Sequence, residues 1–197
     1  MMKRIFDLFF SSLGCIALSP VFLVVAIWIK LDSPGPVFYR QVRVGRNGKP
    51  FRIHKFRTMS EKSDLMGKLT IGKDSRITRS GHYLRKMKID ELPQLLDVIL
   101  GYMSLVGPRP EVQEFIDEYP SDIRDVVLSV RPGITDRASI EMVDENELLG
   151  DYSDPRQAYI DVILPIKQKY YVDYINNQTL VEDLCIIKDT LVKIITR

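Results

Sequence analysis

The sequence has few of the residues that build disulfide scaffolds or zinc centres. Its 197 residues include two cysteines, Cys15 and Cys185, and two histidines, His54 and His82. Two cysteines exclude a disulfide-rich scaffold and a four-cysteine metal site, and two histidines disfavour a histidine-rich zinc centre. The length has room for one ordinary domain. Hydrophobic residues at 45% and charged residues at 27% are typical of a chain that buries a core.

Acidic residues are absent from Ser33 to Ser60, a stretch that carries seven lysines and arginines. Residues 33–89 hold fifteen basic and three acidic side chains, whereas residues 90–197 hold ten basic and twenty-one acidic ones. This basic segment predicts a phosphate-rich partner or an anionic membrane surface, the alternative being a solvated basic face. No nucleic-acid-binding motif accompanies the basic segment, so nucleic acid is not expected as a partner.

One uncharged run of twenty-two residues, Leu8 to Ile29, lies between basic flanks. A straight helix of that length would cover about 33 Å, which is enough for a hydrocarbon core of about 30 Å. The run therefore predicts membrane association. A cleaved signal peptide is the less favoured alternative, because the apolar run continues well past Ser19.

A serine and a proline, Ser19 and Pro20, interrupt this run. Pro20 has no N–H to donate to the carbonyl of Ile16, and its ring crowds that carbonyl, so a break in the helix is expected. The Ser19 hydroxyl can satisfy the freed carbonyl. A kinked spanning helix and a re-entrant hairpin both remain open. Basic residues on both flanks favour the re-entrant hairpin, which keeps the two flanks in the cytoplasm.

The rest of the chain predicts a small β-hairpin and several helices. Residues 37–44 are rich in β-branched and aromatic side chains, a turn follows, and the alternation resumes at residues 51–53. Residues 77–100 predict helix in two pieces, the second starting near Asp90 because Pro93 fits only a first turn. A C-terminal amphipathic helix, packed on the body or lying in the membrane interface, is predicted by apolar residues at helical spacing. These residues are Leu180, Leu184, Ile187, Leu191 and Ile194.

Asp90 and Glu91 are the most informative pair of charged residues. At a helix N-terminus both carboxylates can reach ligands held by free backbone N–H groups, although ordinary capping is the alternative. Arg85 precedes the pair, and Arg109 lies between two prolines that restrict its backbone. A rigidly presented arginine suits a phosphoryl group. Two carboxylates and fixed arginines beside a membrane segment predict metal-assisted phosphoryl transfer.

Five motifs, in this order, resemble those of the bacterial sugar transferase family, the small monotopic phosphoglycosyl transferases. They are Lys55-Phe56-Arg57-Thr58-Met59, Leu84-Arg85, Asp90-Glu91-Leu92-Pro93-Gln94-Leu95, Met103-Ser104-Leu105-Val106-Gly107-Pro108-Arg109-Pro110 and Arg131-Pro132-Gly133-Ile134-Thr135. The resemblance extends over nearly the whole chain, from Lys3 to Leu184.

The resemblance implies a mixed α/β, mostly helical fold with a re-entrant membrane hairpin over residues 1–32 and a catalytic domain over residues 33–197. It implies a monotopic enzyme on the cytoplasmic face of the bacterial inner membrane. That enzyme would move sugar-1-phosphate from a UDP-sugar to polyprenyl (undecaprenyl) phosphate and release UMP. This is the first membrane step of bacterial glycoconjugate and polysaccharide synthesis.

The resemblance also implies roles for individual residues. Asp90 would be the nucleophile that forms an aspartyl-phosphosugar intermediate, and Glu91 together with Asp90 would hold Mg²⁺. Ser19 and Pro20 match the break of the family's re-entrant helix. The expected substrate- and phosphate-binding residues are Lys55, Arg57, Arg85, Arg109 and Arg131.

Two positions depart from the family pattern. Tyr102 stands where family members commonly have an acidic residue, and residues 136–140 replace a common Gly-x-Ala-Gln-Val. Residues 136–154 either contact the sugar or form a variable surface loop. These departures leave one alternative function, a catalytically idle, membrane-anchored scaffold. The sugar, the glycan pathway and the oligomeric state, including a homo-oligomer, stay open.

Overall fold

The computed structural model describes residues 1–60, 74–142 and 145–196, and over these ranges the chain is mostly helical with a small β content. This confirms the mostly helical prediction. The helices are α1 Met2–Ala17, α2 Ser19–Asp32, α3 Arg79–Lys86, α4 Gln94–Leu100, α5 Gln113–Ile116, α6 Ser121–Leu128, α7 Arg137–Glu141, α8 Glu145–Gly150, α9 Pro155–Ala158, α10 Leu164–Asn176 and α11 Leu180–Ile195. The strands are β1 Phe38–Tyr39, β2 Val42–Val44, β3 Pro50–Arg52, β4 Lys55–Phe56, β5 Ser104–Val106 and β6 Gly133–Thr135.

The uncharged N-terminal run forms two helices with a 59° bend between them. The break falls at Leu18, two residues before Pro20, and the Ser19 hydroxyl donates a 2.8 Å hydrogen bond to the carbonyl of Ile16. The predicted break and its serine cap are therefore confirmed. Within the described residues, neither helix alone is long and apolar enough to cross a bilayer, whereas the bent pair together has the required length and composition.

The N-terminal helices leave many large apolar side chains exposed, while part of α2 is buried in the body of the protein. Val25 and Ile29 of α2 pack with Phe56 and Leu84. The exposed apolar residues of α1 and α2 include Ile5, Phe9, Phe10, Leu13, Ile16, Leu23, Val24, Ile27, Trp28 and Leu31. The helix pair thus has one face on the body and a broad apolar face that the protein itself does not cover.

The predicted hairpin is present. β2 pairs with β3 in antiparallel register around a 3-10 turn at Arg46–Gly48, and β1 pairs with β4 further from the turn. Asn47 has a φ of 58°, a left-handed conformation that asparagine tolerates better than most residues. The hairpin delivers Lys55 from its last strand toward Asp90 and Glu91.

The last helix lies against the first one. Lys3 of α1 and Asp183 of α11 form an ion pair with 2.5 Å between Nζ and Oδ2, and the Tyr174 hydroxyl donates to the same carboxylate at 2.6 Å. A separate apolar cluster, built from α5, α6, α7, α8, α9 and α10 together with Val44, forms the largest core. Because α11 packs along β5, β6 and α7, it joins this core to the N-terminal helices.

The second piece of the predicted 77–100 helix starts later than expected. Ile89–Glu91 forms a 3-10 turn, Pro93 is the N-cap, and α4 begins at Gln94. A proline has no N–H to offer, so the position just before the first helical turn suits it well. Asp90 and Glu91 therefore lie on the turn that precedes the helix.

Candidate active site

The turn that carries Asp90 and Glu91 starts from a strained residue. Lys88 has a φ of 56° and a ψ of 18°, the left-handed region, which costs a residue with a side chain about 1–3 kcal/mol. This conformation reverses the chain after α3 and turns both carboxylates inward. They are 6% and 8% exposed, so the fold holds two adjacent acidic side chains away from water.

Glu91 is held by two cations. Arg109 donates to both of its oxygens, from Nη2 to Oε1 at 2.5 Å and from Nη1 to Oε2 at 3.2 Å, and Lys55 Nζ lies 2.8 Å from Oε1. Burial alone would raise the pKa of Glu91, but the charges of Arg109 and Lys55 hold the pKa well below its ordinary value. The same pairing raises the pKa of Arg109 well above its ordinary value. Glu91 is therefore an ionised carboxylate with a fixed orientation.

Asp90 is bound much less tightly than its neighbour. Its Oδ2 atom lies 3.6 Å from Lys55 Nζ, and its Oδ1 atom is buried without a hydrogen-bond partner among the described residues. Burial raises the pKa of Asp90, and the charge of Lys55 opposes that rise. One helical turn further on, the buried Gln94 Nε2 also has no partner in the described part of the chain. A buried acceptor and a buried donor four residues apart in the sequence, each without a partner among the described residues, are typical of a site that a polar ligand completes.

Arg85 approaches the pair from α3. Its Nε donates a 2.9 Å hydrogen bond to Thr58 Oγ1. Burial lowers the pKa of Arg85, and the negative charge of Asp90 opposes that shift. Thr58 also accepts from the backbone N–H of Thr78, the N-cap of α3. The contact depends on Gly81, because a Cβ at that position would lie 2.1 Å from the carbonyl oxygen of Thr58.

Two of the expected phosphate-binding arginines lie elsewhere. Arg57 is buried and donates three hydrogen bonds, at 2.6, 2.7 and 2.8 Å, to the carbonyls of Pro36, Pro34 and Ser33. Arg131 donates to the carbonyl of Gly101, which follows the C-terminus of α4, whereas Asp90 and Glu91 precede its N-terminus. A seven-residue helix spans about 10 Å, so Arg131 lies about that far from the carboxylates.

Sequence reasoning missed Lys88 and Gln94. Burial lowers the pKa of Lys88, and the charge of Glu91 opposes that shift, so its ammonium group belongs to the same cluster as the carboxylates. The sequence places the positive charge of Lys88 near Asp90 without assigning it to the site, and nothing in the sequence indicates its left-handed backbone. Gln94 looks like an ordinary helix residue in the sequence, and its orphaned amide becomes visible only in three dimensions.

The residues that depart from the family pattern have structural partners. Tyr102 stacks on Phe51 with 5.7 Å between ring centres. Asp136 is the N-cap of α7 and accepts from the N–H and the hydroxyl of Ser139 at 2.9 and 2.6 Å. Burial raises the pKa of Asp136, and the hydrogen bonds from Ser139 oppose the rise. The described residues of the 136–154 segment thus form helices α7 and α8 rather than a simple surface loop.

The donor set fits a hard divalent cation. Mg²⁺ is usually held by one or two carboxylates together with substrate phosphates and water, rather than by an all-protein cage. Asp90 and Glu91 supply two carboxylates, and Asp90 Oδ1 is a buried oxygen that still needs a partner. No cluster of three or more acidic, histidine or cysteine side chains occurs among the residues that the structure describes.

Two buried carboxylates surrounded by Lys55, Arg85, Lys88 and Arg109, next to an uncovered apolar helix pair, define an anion-processing site at the edge of an apolar surface. The bacterial sugar transferase family model matches residues 1–197. The chain belongs to the bacterial sugar transferase family, which confirms the resemblance carried by the five motifs.

Three named proteins show the similarity of this chain to other members of the family. The chain is 38% identical over 197 residues to the UDP-N-acetylgalactosamine-undecaprenyl-phosphate N-acetylgalactosaminephosphotransferase of Aeromonas hydrophila, covering 98% of this chain and 44% of that protein. It is 38% identical to the exopolysaccharide production protein PSS of Rhizobium leguminosarum, and the match covers 100% of this chain and 96% of that protein. It is 44% identical over 142 residues to the UDP-glucose:undecaprenyl-phosphate glucose-1-phosphate transferase of Klebsiella pneumoniae. That match covers 70% of this chain and 30% of the Klebsiella protein. The chain thus spans less than half of two of these relatives and nearly all of the third.

Proposed function

We propose that this protein transfers sugar-1-phosphate from a UDP-sugar to undecaprenyl phosphate, at the start of bacterial polysaccharide or exopolysaccharide synthesis. The family membership and the relatives' names support the substrates. The observation that carries the mechanism is the asymmetry of the buried pair. Both oxygens of Glu91 accept hydrogen bonds from cations, whereas Asp90 keeps a buried oxygen with no hydrogen-bond partner among the described residues.

In the first step, Asp90 attacks the sugar-bearing phosphorus of the UDP-sugar. A bond forms between the carboxylate oxygen and phosphorus, the phosphoanhydride bond breaks, and UMP leaves with the electron pair. In the second step, a phosphate oxygen of the lipid attacks the same phosphorus, and the bond to Asp90 breaks to restore the carboxylate. The covalent intermediate lets a water-soluble nucleotide and a membrane lipid use one site in turn.

The cations around the pair offset the repulsion between a carboxylate and a diphosphate. Lys55, Arg85, Lys88 and Arg109 place four positive side chains at the two carboxylates. Preorganised charges of this kind stabilise a phosphoryl-transfer transition state without reorganisation. Arg57 and Arg131 are left out of this site, because their guanidinium groups bind backbone carbonyls at other places.

Mg²⁺ is proposed as the cofactor, with Asp90 and Glu91 as the protein ligands. When bound, it would supply further positive charge for the transferring phosphates. Glu91 would stay anchored to Arg109, so the geometry of the cation cluster is set by the protein before any ligand arrives.

The membrane arrangement is proposed to be re-entrant, with residues 1–32 as the embedded hairpin and residues 33–197 as the catalytic part on the cytoplasmic face. The 59° bend, the exposed apolar side chains of α1 and α2, and the basic residues on both flanks support this arrangement. Trp28 and Tyr83, exposed and 5.9 Å apart by ring centres, would mark the membrane–water interface.

Single-cysteine labelling tests this topology. With Cys15 and Cys185 replaced by serine, cysteines at Met2 and at the exposed Ser60 are treated with a membrane-impermeant maleimide. A re-entrant hairpin predicts that both positions label in inside-out vesicles and neither labels in intact cells. Labelling of the two positions from opposite sides would establish a kinked spanning helix instead.

The reaction is tested with the full chain in nanodiscs, undecaprenyl phosphate, Mg²⁺ and a panel of UDP-sugars. We expect lipid-dependent UMP release, reduced at least about 10³-fold in Asp90→Asn and unchanged in the exposed control Asp122→Asn. Release of UDP would mean plain glycosyl transfer and a wrong mechanism. A phosphosugar adduct on Asp90, found by mass spectrometry without lipid, would identify the intermediate. No adduct and no UMP with any UDP-sugar would favour the idle-scaffold alternative.

A further inference from the structure

A cavity of about 360 Å³ lies between the first, fourth and last helices and ends at the candidate active site. Phe6 and Phe10 of α1 and Leu95 of α4 form part of its wall, together with Leu92, which directly follows Glu91. The face of α11 that completes the wall carries Leu184, Ile187, Leu191 and Ile194, four of the five residues in the apolar stripe of that helix. This volume is within the range of small-ligand pockets.

One end of the cavity is charged. Glu91 and Arg109, which form the bidentate pair of the candidate site, line it together with Lys88. Lys86 and Lys193 also line the cavity, so its charged residues, within the described part of the chain, are four cations and one carboxylate. An apolar channel that ends in a cluster of cations is complementary to an amphiphile with an anionic head.

The apolar part of the cavity is open to the surface of the protein. Phe10, Leu184 and Leu191 line the cavity and yet are 46%, 51% and 56% exposed, so the cavity is open to the outside beside them. Phe9 and Leu13 extend this exposed apolar surface along α1. A lipid could therefore enter the cavity from the bilayer without passing its chain through water.

We propose that this cavity binds the acceptor lipid, with the first isoprene units between α1, α4 and α11 and the phosphate at Lys88, Arg109 and Glu91. The inference rests on the proposed function, because it assigns a place to the acceptor of that reaction. The rest of the long chain extends past Phe10 and Leu191 into the membrane. The apolar stripe of α11 is thus a wall of the acceptor site, and this helix both packs on the body and meets the bilayer.

The charges favour a prenyl phosphate over an ordinary phospholipid. A phosphomonoester carries close to two negative charges at neutral pH, whereas the phosphodiester of a phospholipid carries one. Lys88 and Arg109 are held beside Glu91 in a half-buried environment, where charge is costly unless it is matched. A dianionic head group matches the cationic part of the cavity better than a monoanionic one. In this position its phosphate lies next to Asp90, the proposed nucleophile.

Two tryptophan variants test the assignment in nanodiscs. Leu191 lines the cavity, and Val192, its neighbour in the sequence, does not; both are more than half exposed on the same helix. For Leu191→Trp we expect the KM for undecaprenyl phosphate to rise at least about tenfold, because the indole fills the cavity. Val192→Trp is expected to leave this KM within about twofold of the wild type. Single-turnover UMP release without lipid should be unchanged in Val192→Trp, the variant outside the cavity.

The two readouts separate this inference from the proposed function. Absence of UMP release in the wild type overturns the proposed reaction, whereas normal UMP release with equal lipid KM values in all three proteins overturns the cavity assignment alone. An equal rise in KM for both tryptophan variants also overturns it, since it would indicate a general effect on membrane contact.

A second measurement uses the wild-type chain and so does not depend on the folding or activity of a variant. A prenyl phosphate with a diazirine in its first isoprene unit is photolysed in the nanodisc, and the adducts are mapped by mass spectrometry. Adducts on Phe6, Leu92 or Ile187 support the assignment. Adducts confined to the outward-facing Val181, Val192 or Ile195 overturn it.

Discussion

Arg109 is the side chain on which the geometry of the candidate site depends. Its guanidinium spans both oxygens of Glu91, and its backbone lies between the buried Pro108 and Pro110. The two prolines limit the backbone, and the bidentate pair limits the side chain. This double restriction suits the in-line attack on phosphorus that we propose for the site.

At this scale we predict that Arg109→Lys lowers kcat about 10²-fold. A lysine retains the charge but cannot bridge the two oxygens of Glu91, so the carboxylate loses its fixed orientation. The measurement is steady-state UMP release. Arg137→Lys is the matched control, since Arg137 bridges Glu182 and Asp189 at the surface and should lose less than twofold. Equal activity of Arg109→Lys and the wild type would show that orientation of Glu91 is unimportant.

The arginines also show what the sequence can and cannot predict. The Pro-Arg-Pro pattern limits where Arg109 can point, and Lys55, Glu91 and Arg109 meet as expected. Arg57 and Arg131 have the same residue type and equally well-matched motifs, yet both bind carbonyls outside the site. Charge alone does not tell whether a guanidinium meets a substrate or an unpaired carbonyl of a turn, because that depends on tertiary contacts.

At the scale of elements, helix α3 lies unusually close to the strand segment that follows β4. Gly81 faces the backbone of Thr58, and Thr78 is the N-cap of the helix. The backbone N–H and the hydroxyl of Ser80 both donate hydrogen bonds to Asp32, the last residue of α2. One short helix therefore connects the N-terminal helix pair to the candidate site through Arg85. The sequence predicted the helix but not this contact, because a glycine gives no indication of which backbone it approaches.

We predict that Gly81→Ala lowers the free energy of unfolding by at least about 2 kcal/mol. The added Cβ would lie 2.1 Å from a backbone oxygen, so α3 has to move. Denaturant unfolding in detergent measures the change. In the control Gly14→Ala, the new Cβ meets only the movable end of Leu95 at 3.2 Å, and a loss below about 1 kcal/mol is expected. A loss in Gly81→Ala no larger than in the control would contradict the close contact.

For the whole molecule, the polar residues of α1 join the N-terminal helices to the catalytic part. Lys3 pairs with Asp183 of α11, and Arg4 donates to the carbonyls of Val98 and Ile99 at the end of α4. Asp7 is buried and accepts from Ser104 and from the backbone of Leu105. The first helix is thus attached to the body at three points in its first two turns.

We predict that Asp183→Asn lowers the free energy of unfolding by about 2–3 kcal/mol, because Lys3 loses a buried charged partner and Tyr174 a strong acceptor. The control Asp189→Asn, on the same helix but in a half-exposed pair with Arg137, should cost less than about 1 kcal/mol. Chemical denaturation followed by circular dichroism gives both values. Similar losses for the two variants would mean that the Lys3 contact adds no more than a surface pair.

The ion pair between Lys3 and Asp183 constrains the order in which parts of this protein can fold during synthesis. The two residues are 180 positions apart, and chains are synthesised at about 5–20 residues per second, so the first helix waits roughly 10–40 s for its partner. During that interval its apolar side chains have no α11 beside them. In the membrane arrangement proposed above, the bilayer would cover them and act as a temporary folding partner. The wall that α11 contributes is then the last part of the cavity to be put in place.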